Sequence, residues 1–382
     1  MAGLAARNAV QHSEALRTEP DTQRRDTGPL ESGSLETGSL EPGSLEPGSL
    51  EMGSLEREAL GGSADLEHRL EQYRVELTGY CYRMMGSAFE AEDAVQETMI
   101  RAWRSYHRFE GRSTLRSWLY RIATNVCLDL LNGRQRRARP MDLGSAQTAD
   151  GPLGATLPES TWILPAPDGR VLPTDSDPAE LAVARESVRL AFIAALQHLP
   201  PRQRAVLILR EVLHWKAAEV AELLGSTVAS VNSALQRARS TLASSDLATT
   251  AEPAEMDDSD LALLARYVDA FERYDIESLV ALLHEDATLS MPPYALWMKG
   301  HHDISRWLLG PGAGCRGSRL VPTTANGAPA FGQYRPSAGS VGHEPWSLQV
   351  IEVSAGRVIG INAFLDTDRL FPLFELPPRL GP

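Results

Sequence analysis

The 382-residue sequence has little cysteine: Cys81, Cys127 and Cys315 are its complement. They are odd in number, far apart and without CxxC spacing, which argues against a disulfide framework and fits reduced thiols in a cytoplasm. No stretch approaches the ~20 apolar residues a membrane crossing needs, so no membrane partner is expected. The N-terminus lacks a basic-then-apolar signal pattern, which excludes export by that route. Positive charge is also short overall, with a formal net charge of −13.

That average hides unlike parts. Residues 1–65 carry 12 acids against 5 bases, and residues 256–382 carry 15 against 10. Between them, residues 101–139 hold 10 arginines against Glu110 and Asp129, and residues 200–243 hold 6 bases against 3 acids. Two basic middle segments are bracketed by acidic ends. Phosphate binding needs a local basic face, not a basic protein.

The organisation follows the same divisions. Residues 1–63 repeat Gly-Ser-Leu-Glu at a five-residue step from Gly33 to Gly53. Such a Gly/Ser/Pro-rich tail buries too little apolar surface to offset its ordering entropy and reads as disordered. Residues 64–139 are helical in pattern, with Leu66, Leu70, Tyr73 and Leu77 on one face, then Ala94, Val95, Met99 and Trp103, then Trp118, Ile122, Val126 and Leu130. Residues 140–178 hold seven prolines and no period, as an extended linker would. Helices resume over 179–244, and 245–257 reads as a second linker. Residues 258–382 open with helices at 258–274 and about 276–283. Strand-like runs at 287–291, 347–353 and 357–366 follow, making an α+β domain. The expected fold class is therefore multidomain: two all-α domains and one α+β domain.

Within the second helical segment, Gly225 supplies a left-handed helix exit and Thr227 an N-cap for the next helix. Val220, Leu223 and Leu224 face inward from the first helix, and Val228, Val231, Leu235, Ala238 and Leu242 from the second. The opposite face shows Ser230, Asn232, Ser233, Gln236, Arg237 and Arg239, a small, polar, basic surface that can enter a major groove. Taken alone, the pair is equally well two amphipathic helices joined by a glycine turn. Upstream, Arg101, Arg104, Arg108, Arg112, Arg116 and Arg121 interleave with Trp103, Tyr106, His107, Phe109, Trp118 and Tyr120. Aromatics beside arginines suit single-stranded DNA, with bases on rings and cations along phosphates. A plain charged surface is the competing reading, and Trp103 and Trp118 read as core.

At these residues a family is recognisable. Glu90-Ala-Glu-Asp-Ala-Val-Gln-Glu-Thr98 with Arg101-Ala-Trp103 resembles the core-polymerase-binding helix of sigma-70-family domain 2. Phe109-Glu-Gly-Arg-Ser-Thr-Leu-Arg-Ser-Trp-Leu-Tyr-Arg-Ile-Ala-Thr-Asn125 resembles the segment that melts and reads the −10 promoter element. Leu199-Pro-Pro-Arg-Gln-Arg-Ala-Val-Leu207 resembles the start of domain 4. Two such domains with no domain 3 between them resemble the extracytoplasmic-function (ECF) group. Val231-Asn-Ser-Ala-Leu-Gln-Arg-Ala-Arg239 and the linker motif Trp162-Ile-Leu-Pro-Ala-Pro-Asp168 are similar to ECF factors with a C-terminal SnoaL-like domain, the sigma-G type of actinobacteria in particular. Residues 258–376 then resemble the SnoaL/NTF2-like fold.

The resemblance implies a cytoplasmic, non-catalytic protein whose partners are core RNA polymerase and promoter DNA. It implies polymerase docking by Asp93, Val95, Gln96 and Glu97. The −10 contacts would come from Phe109, Arg112, Arg116, Trp118, Arg121 and Asn125, the last a base reader. The −35 contacts would come from Thr227, Ser230, Asn232, Ser233, Gln236, Arg237 and Arg239. Two departures stand out: Ala234 sits where many ECF factors carry a basic residue, and Lys216 where a capping Ser or Pro is commoner. The repeat tail lies outside the family pattern.

The acidic C-terminal domain reads as a regulator of the sigma domains, with a small apolar molecule as a possible ligand. His284, Asp286, His301, His302 and Asp303 are its candidates for chemistry, but no motif among them names a reaction. No cofactor or metal is expected, and the sequence names no separate anti-sigma partner. A one-component ligand-responsive regulator and a SnoaL-type enzyme with a DNA-binding appendage remain the alternatives.

Overall fold

The computed structural model describes residues 65–173, 177–243, 258–339 and 341–381. The repeat tail and the linker at 245–257 lie outside the described residues. Contact density divides the chain at Arg69/Leu70. Of the N-terminal unit, residues 65–69 are described and are helical.

The second unit begins with three helices, α1 (Arg74–Met85), α2 (Ala88–Ser105) and α3 (Leu115–Leu131). Their ends are chemically marked. Gly86 closes α1 in the left-handed region at φ 73°. Ser87 caps α2 by accepting from the Glu90 amide, and Thr114 caps α3 by accepting from the Ser117 amide. Leu77, Tyr80 and Met84 of α1 are fully buried with Ala91, Ala94 and Val95 of α2 and Leu119, Tyr120 and Ala123 of α3. Tyr80 meets Tyr120 edge-on at 5.1 Å and shares a hydrogen bond with Thr124 at 2.8 Å.

The proline-rich segment departs from the extended linker expected of it. Trp162, Ile163, Leu164, Ala166 and Val171 are buried, and a short helix, α4, spans Asp168–Val171. Ala138 pairs with Trp162 in a parallel bridge, and Thr156 with Tyr294 in an antiparallel one. Lacking a period of its own, the segment is ordered by what it lies against. The Gln147 amide donates to Trp297 O, the Leu157 amide to Pro293 O and the Ala149 amide to an Asp303 carboxylate oxygen.

Helices α5 (Pro178–Glu186), α6 (Leu190–Gln197) and α7 (Pro201–Leu207) follow, α7 widening into a π turn at Ile208–Val212. Next come α8 (Ala217–Leu223) and α9 (Val228–Ala243). Gly225 turns at φ 57° and the Thr227 hydroxyl accepts from the Ser230 amide, as expected. At Lys216, where a capping Ser or Pro is commoner, the backbone amide donates to the Glu219 carboxylate at 2.7 Å and fixes the start of α8.

The C-terminal domain opens with α10 (Asp258–Arg273) and α11 (Ile276–Ala281). Six strands make one sheet: β1 (Leu283–Ser290), β2 (Trp297–Lys299), β3 (Arg319–Ala325), β4 (Ala328–Pro336), β5 (His343–Ser354) and β6 (Arg357–Phe364), in the order β2-β1-β6-β5-β4-β3. Within this sheet, among the described residues, β1 and β6 are the pair that runs parallel, with Leu289 opposite Ile361. Helix α12 (His301–Leu309) falls between β2 and β3, and α13 (Thr367–Leu373) ends the fold. Tyr267 of α10 stacks with Phe271 of the same helix and with Phe331 of β4 over one core, into which Ala149 of the proline-rich segment is also buried. Among the described residues no helix is long and apolar enough to cross a membrane.

Candidate nucleic-acid interface

Helix α2 presents an acidic outer face. Asp93 and Gln96 are exposed, and Glu97 holds Arg101 at 2.6 Å. Val95 does not join them. It is fully buried, one residue round the helix from the solvent stripe, and its side chain belongs to the core. At the start of the helix Glu90 pairs with Arg134 at 2.5 Å and Arg137 at 2.9 Å, while Glu92 pairs with Arg170 of α4 at 2.6 Å. The Arg369 guanidinium of α13 lies 4.1 Å from the Phe89 ring centroid.

The −10 candidates divide. Phe109 and Trp118 lie 5.1 Å apart in a trio with Tyr106, which holds the 109–115 loop against α3. Trp118 is half-buried there. Trp103, expected in the core, is 55% exposed. Its neighbour Ala102 takes the inward position instead. Arg112 is exposed and paired with Glu110, and Asn125 is exposed on α3. Arg116 and Arg121 instead face the second helical segment. Arg116 is held by Glu76, and its guanidinium sits 5.4 Å from the Tyr120 ring and 5.5 Å from the Trp215 ring. Arg121 reaches Glu222 of α8 at 3.4 Å.

The −35 candidates share one exposed face of α9: Ser230, Asn232, Ser233, Gln236 and Arg237, with Arg239 paired to Glu211 at 2.7 Å. Thr227 is exposed and caps the helix. Val231, Leu235 and Ala238 are the buried side, as expected. Val228 is not; at 43% exposure it belongs to the outer face, because it stands in the first turn beyond the reach of the α8 packing.

Residues the sequence did not single out hold these surfaces together. The Arg83 guanidinium donates to the Ser187 hydroxyl at 2.6 Å, and buried Arg204 donates to the Gln197 side chain at 2.7 Å, to Leu199 O and to Met84 O. Burial pulls both guanidinium pKa values down to about 10. The hairpin tip between β3 and β4 reaches furthest. Asn326, at φ 58° and 1% exposed, donates through its amide to Tyr82 Oη and to Val188 O, both at 2.6 Å. Its carbonyl oxygen accepts from the Ala166 amide, and the Gly327 amide donates to Asp168 at 2.7 Å. Burial raises the Asp168 carboxyl above its usual range, against the lowering effect of the Gly327 amide. An Asn-Gly pair between strands signals a tight turn, but not what the turn touches.

The candidates for chemistry do not converge. Asp286 is exposed and paired with Lys299 at 3.0 Å, a ring nitrogen of His301 lies 3.2 Å from Leu283 O, and His302 is exposed. The His284 ring accepts from the Asp286 amide, and Asp303 holds the Ala149 amide. Among the described residues no cluster of His, Cys, Asp or Glu could hold a metal ion.

The two helical segments define a sigma factor. Residues 70–137 match the model of Sigma-70 region 2 and residues 189–242 that of Sigma-70 region 4. The chain is 48% identical over 325 residues to the ECF RNA polymerase sigma factor SigG of Mycobacterium tuberculosis, spanning 83% of this chain and 85% of that one. It is 29% identical over 251 residues to SigJ of the same organism, spanning 63% and 71%. The crystal structure of SigJ shares the fold at a TM-score of 0.51 and 24% identity, over 81% of this chain and 99% of that one. The chain belongs to the ECF RNA polymerase sigma factors, transcription initiation factors rather than enzymes. Its C-terminal domain is α+β, with helices packed on one six-stranded sheet among the described residues.

Proposed function

We propose that this sigma factor carries its own restraint: residues 258–382, with the proline-rich segment, hold the two sigma domains in a closed arrangement that withholds part of the DNA surface. The domain limits are 64–139 for domain 2 and 179–244 for domain 4. The observation that carries the reading is Asn326. One buried side chain binds Tyr82 of domain 2, Val188 of domain 4 and Ala166 between them. Arg116 and Arg121, two of the −10 candidates, lie against Trp215 and Glu222 of domain 4.

In the open protein, Asp93, Gln96 and Glu97 dock on core polymerase. Phe109, Arg112, Arg116, Trp118, Arg121 and Asn125 hold the melted −10 strand, with Asn125 reading an extruded base. Extrusion costs a few kcal/mol, offset by pocket hydrogen bonds and phosphate contacts. Thr227, Ser230, Asn232, Ser233, Gln236, Arg237 and Arg239 take the −35 element, bases from the polar groups and phosphates from the arginines. The 140–178 segment then leaves the C-terminal domain and spans the polymerase between the two elements. A small apolar molecule binding the C-terminal domain is one trigger for opening. Polymerase and promoter place this work in the cytoplasm.

The test is deletion of residues 258–382. Promoter-dependent transcription in a purified system changes while core binding is kept. A truncated protein that transcribes identically removes the regulatory reading.

A further inference from the structure

A chain of buried hydrogen bonds runs through the C-terminal domain from Tyr267 to Ser318, and each of its members is at most 3% exposed. The Tyr267 hydroxyl donates to Gln349 Oε1 at 2.9 Å, and the Gln349 amide donates to Gln333 Oε1 at 2.9 Å. The Ser347 hydroxyl donates to the same Gln333 oxygen at 2.8 Å. The Gln333 amide then donates to Ser318 Oγ at 2.9 Å. Burial fixes this sense. Reversing it would leave the hydroxyl hydrogens of Tyr267 and Ser347, both fully buried, without an acceptor in the chain, and an unpaired buried donor is strongly disfavoured. Ser318 therefore ends the chain as an acceptor. Among the described residues its own hydroxyl hydrogen has no acceptor.

Ser318 lines a cleft of about 430 Å³, together with Asp269, Glu272 and Arg273 of α10, Arg319 of β3 and His343 of β5. Small-ligand sites span ~300–1,000 Å³. The His343 ring places Nε2 at 3.1 Å from Gly317 O. A carbonyl oxygen can only accept, so the proton sits on Nε2 and the neutral ring keeps Nδ1 as an acceptor. Nδ1 is buried and, among the described residues, unpartnered. The charges of the walls cancel: Arg273 pairs with Asp269 at 2.7 Å, and Arg319 with Glu272 at 2.8 Å. Among the described residues the lining includes no Leu, Ile, Val, Met, Phe, Tyr or Trp.

The cleft thus offers an O–H donor and a ring-nitrogen acceptor between two closed ion pairs. Hydroxyl groups satisfy both, since their oxygen accepts from Ser318 and their hydrogen goes to Nδ1. A charged ligand would have to break an ion pair. An apolar one would leave the buried donor and acceptor unpaired. We propose that this cleft binds a neutral polyhydroxyl molecule, a sugar or polyol, held by Ser318 and His343. Its ligand is opposite in polarity to the apolar trigger considered above, and its existence does not depend on the closed arrangement.

The experiment uses the full chain. Glucose, sucrose and glycerol are the neutral probes, with glucuronate and indole as charged and apolar counterparts. Saturation-transfer NMR detects binding and calorimetry gives the affinity. At least one neutral probe is expected to bind. Ser318→Ala is expected to weaken it about fivefold or more. Asp269→Trp is expected to abolish it, because it sets a ring over the cleft from an exposed helical position and leaves the buried chain intact. Ser318→Ala also strips the Gln333 amide of its acceptor, so Asp269→Trp keeps the test decisive if the alanine variant fails to fold. No binding by any neutral probe at millimolar concentration overturns the site. Undiminished binding in Asp269→Trp puts the ligand elsewhere and overturns it too. Unchanged affinity in folded Ser318→Ala overturns the assigned contact. Tighter binding of glucuronate or indole than of every neutral probe overturns the ligand class.

Discussion

Helices α2 and α3 lie side by side in domain 2 and meet opposite fates. Both are amphipathic and both carry charge outward. The outer stripe of α2 lies open from Asp93 to Trp103. The outer arginines of α3 are drawn onto domain 4, one between two aromatic rings and one onto Glu222. What separates them is their neighbour. The residues proposed for polymerase docking and for promoter melting lie on adjacent helices, and the second set touches domain 4 through Arg116 and Arg121.

The comparison can be broken most severely at Arg204, the buried guanidinium that joins α7 to Met84 O of α1. Arg204→Leu leaves several buried carbonyl oxygens unpaired and is expected to cost about 3 kcal/mol of stability. Urea unfolding measures it, and a loss below about 1 kcal/mol would show that α1 and α7 are not tied there. Asn326→Ala is next. It strips Val188 O and the Ala166 amide of partners, at about 1–3 kcal/mol for each buried group left unpaired. Because those groups regain water when the domains part, the expected readout is domain separation and increased −10 strand binding rather than global unfolding. Equal strand binding in both proteins would sink the gating idea. Glu222→Gln is milder. An exposed pair at 3.4 Å contributes under about 1 kcal/mol, so strand binding rises less than about fivefold.

The smallest effect is a pH dependence at His198. Burial, and next the charge of Arg136, lower its pKa below 6.5. Arg139 lowers it further and Asp142 opposes. A base with a depressed folded pKa binds fewer protons folded than unfolded, so stability rises with pH across that window. The contact between Arg136 and His198 at 2.6 Å is thus intact near neutrality and weakens as pH falls below 6.5. Energy transfer between the domains, followed from pH 7.5 to 5.5, should fall slightly in the wild type and stay flat in His198→Gln.

Much of this was legible in the residues. Helices α1 to α3 and α7 to α9 follow from apolar spacing and from caps at Ser87, Thr114 and Thr227, all local features that need no tertiary partner. So did the strands β1, β5 and β6. Strands β2, β3 and β4 were not anticipated. β2 has three residues, and β3 and β4 carry Pro322, Pro329 and Gly332, which blur the two-residue alternation. On α9 the residues expected to face outward are exposed, and Val228, expected to face inward, is exposed as well. Val95, expected among the docking residues of α2, is buried, because motif matching ranks residues by identity rather than by helix face.

The amino-acid sequence by itself determined the chemical character of three surfaces: an acidic helix, an arginine-aromatic block and a small polar helix face. Side-chain chemistry and 3.6-residue spacing are local, so they can be read in order along the chain. Only the tertiary structure decided which of those surfaces face solvent together. Trp103 and Trp118 are both tryptophans on helices rich in arginine, and no local rule sends one outward and the other into a stack. Nor does any rule of spacing bring Asn326 to Tyr82, 244 residues away in the chain, because that contact exists only where two domains and a periodless segment pack around one turn.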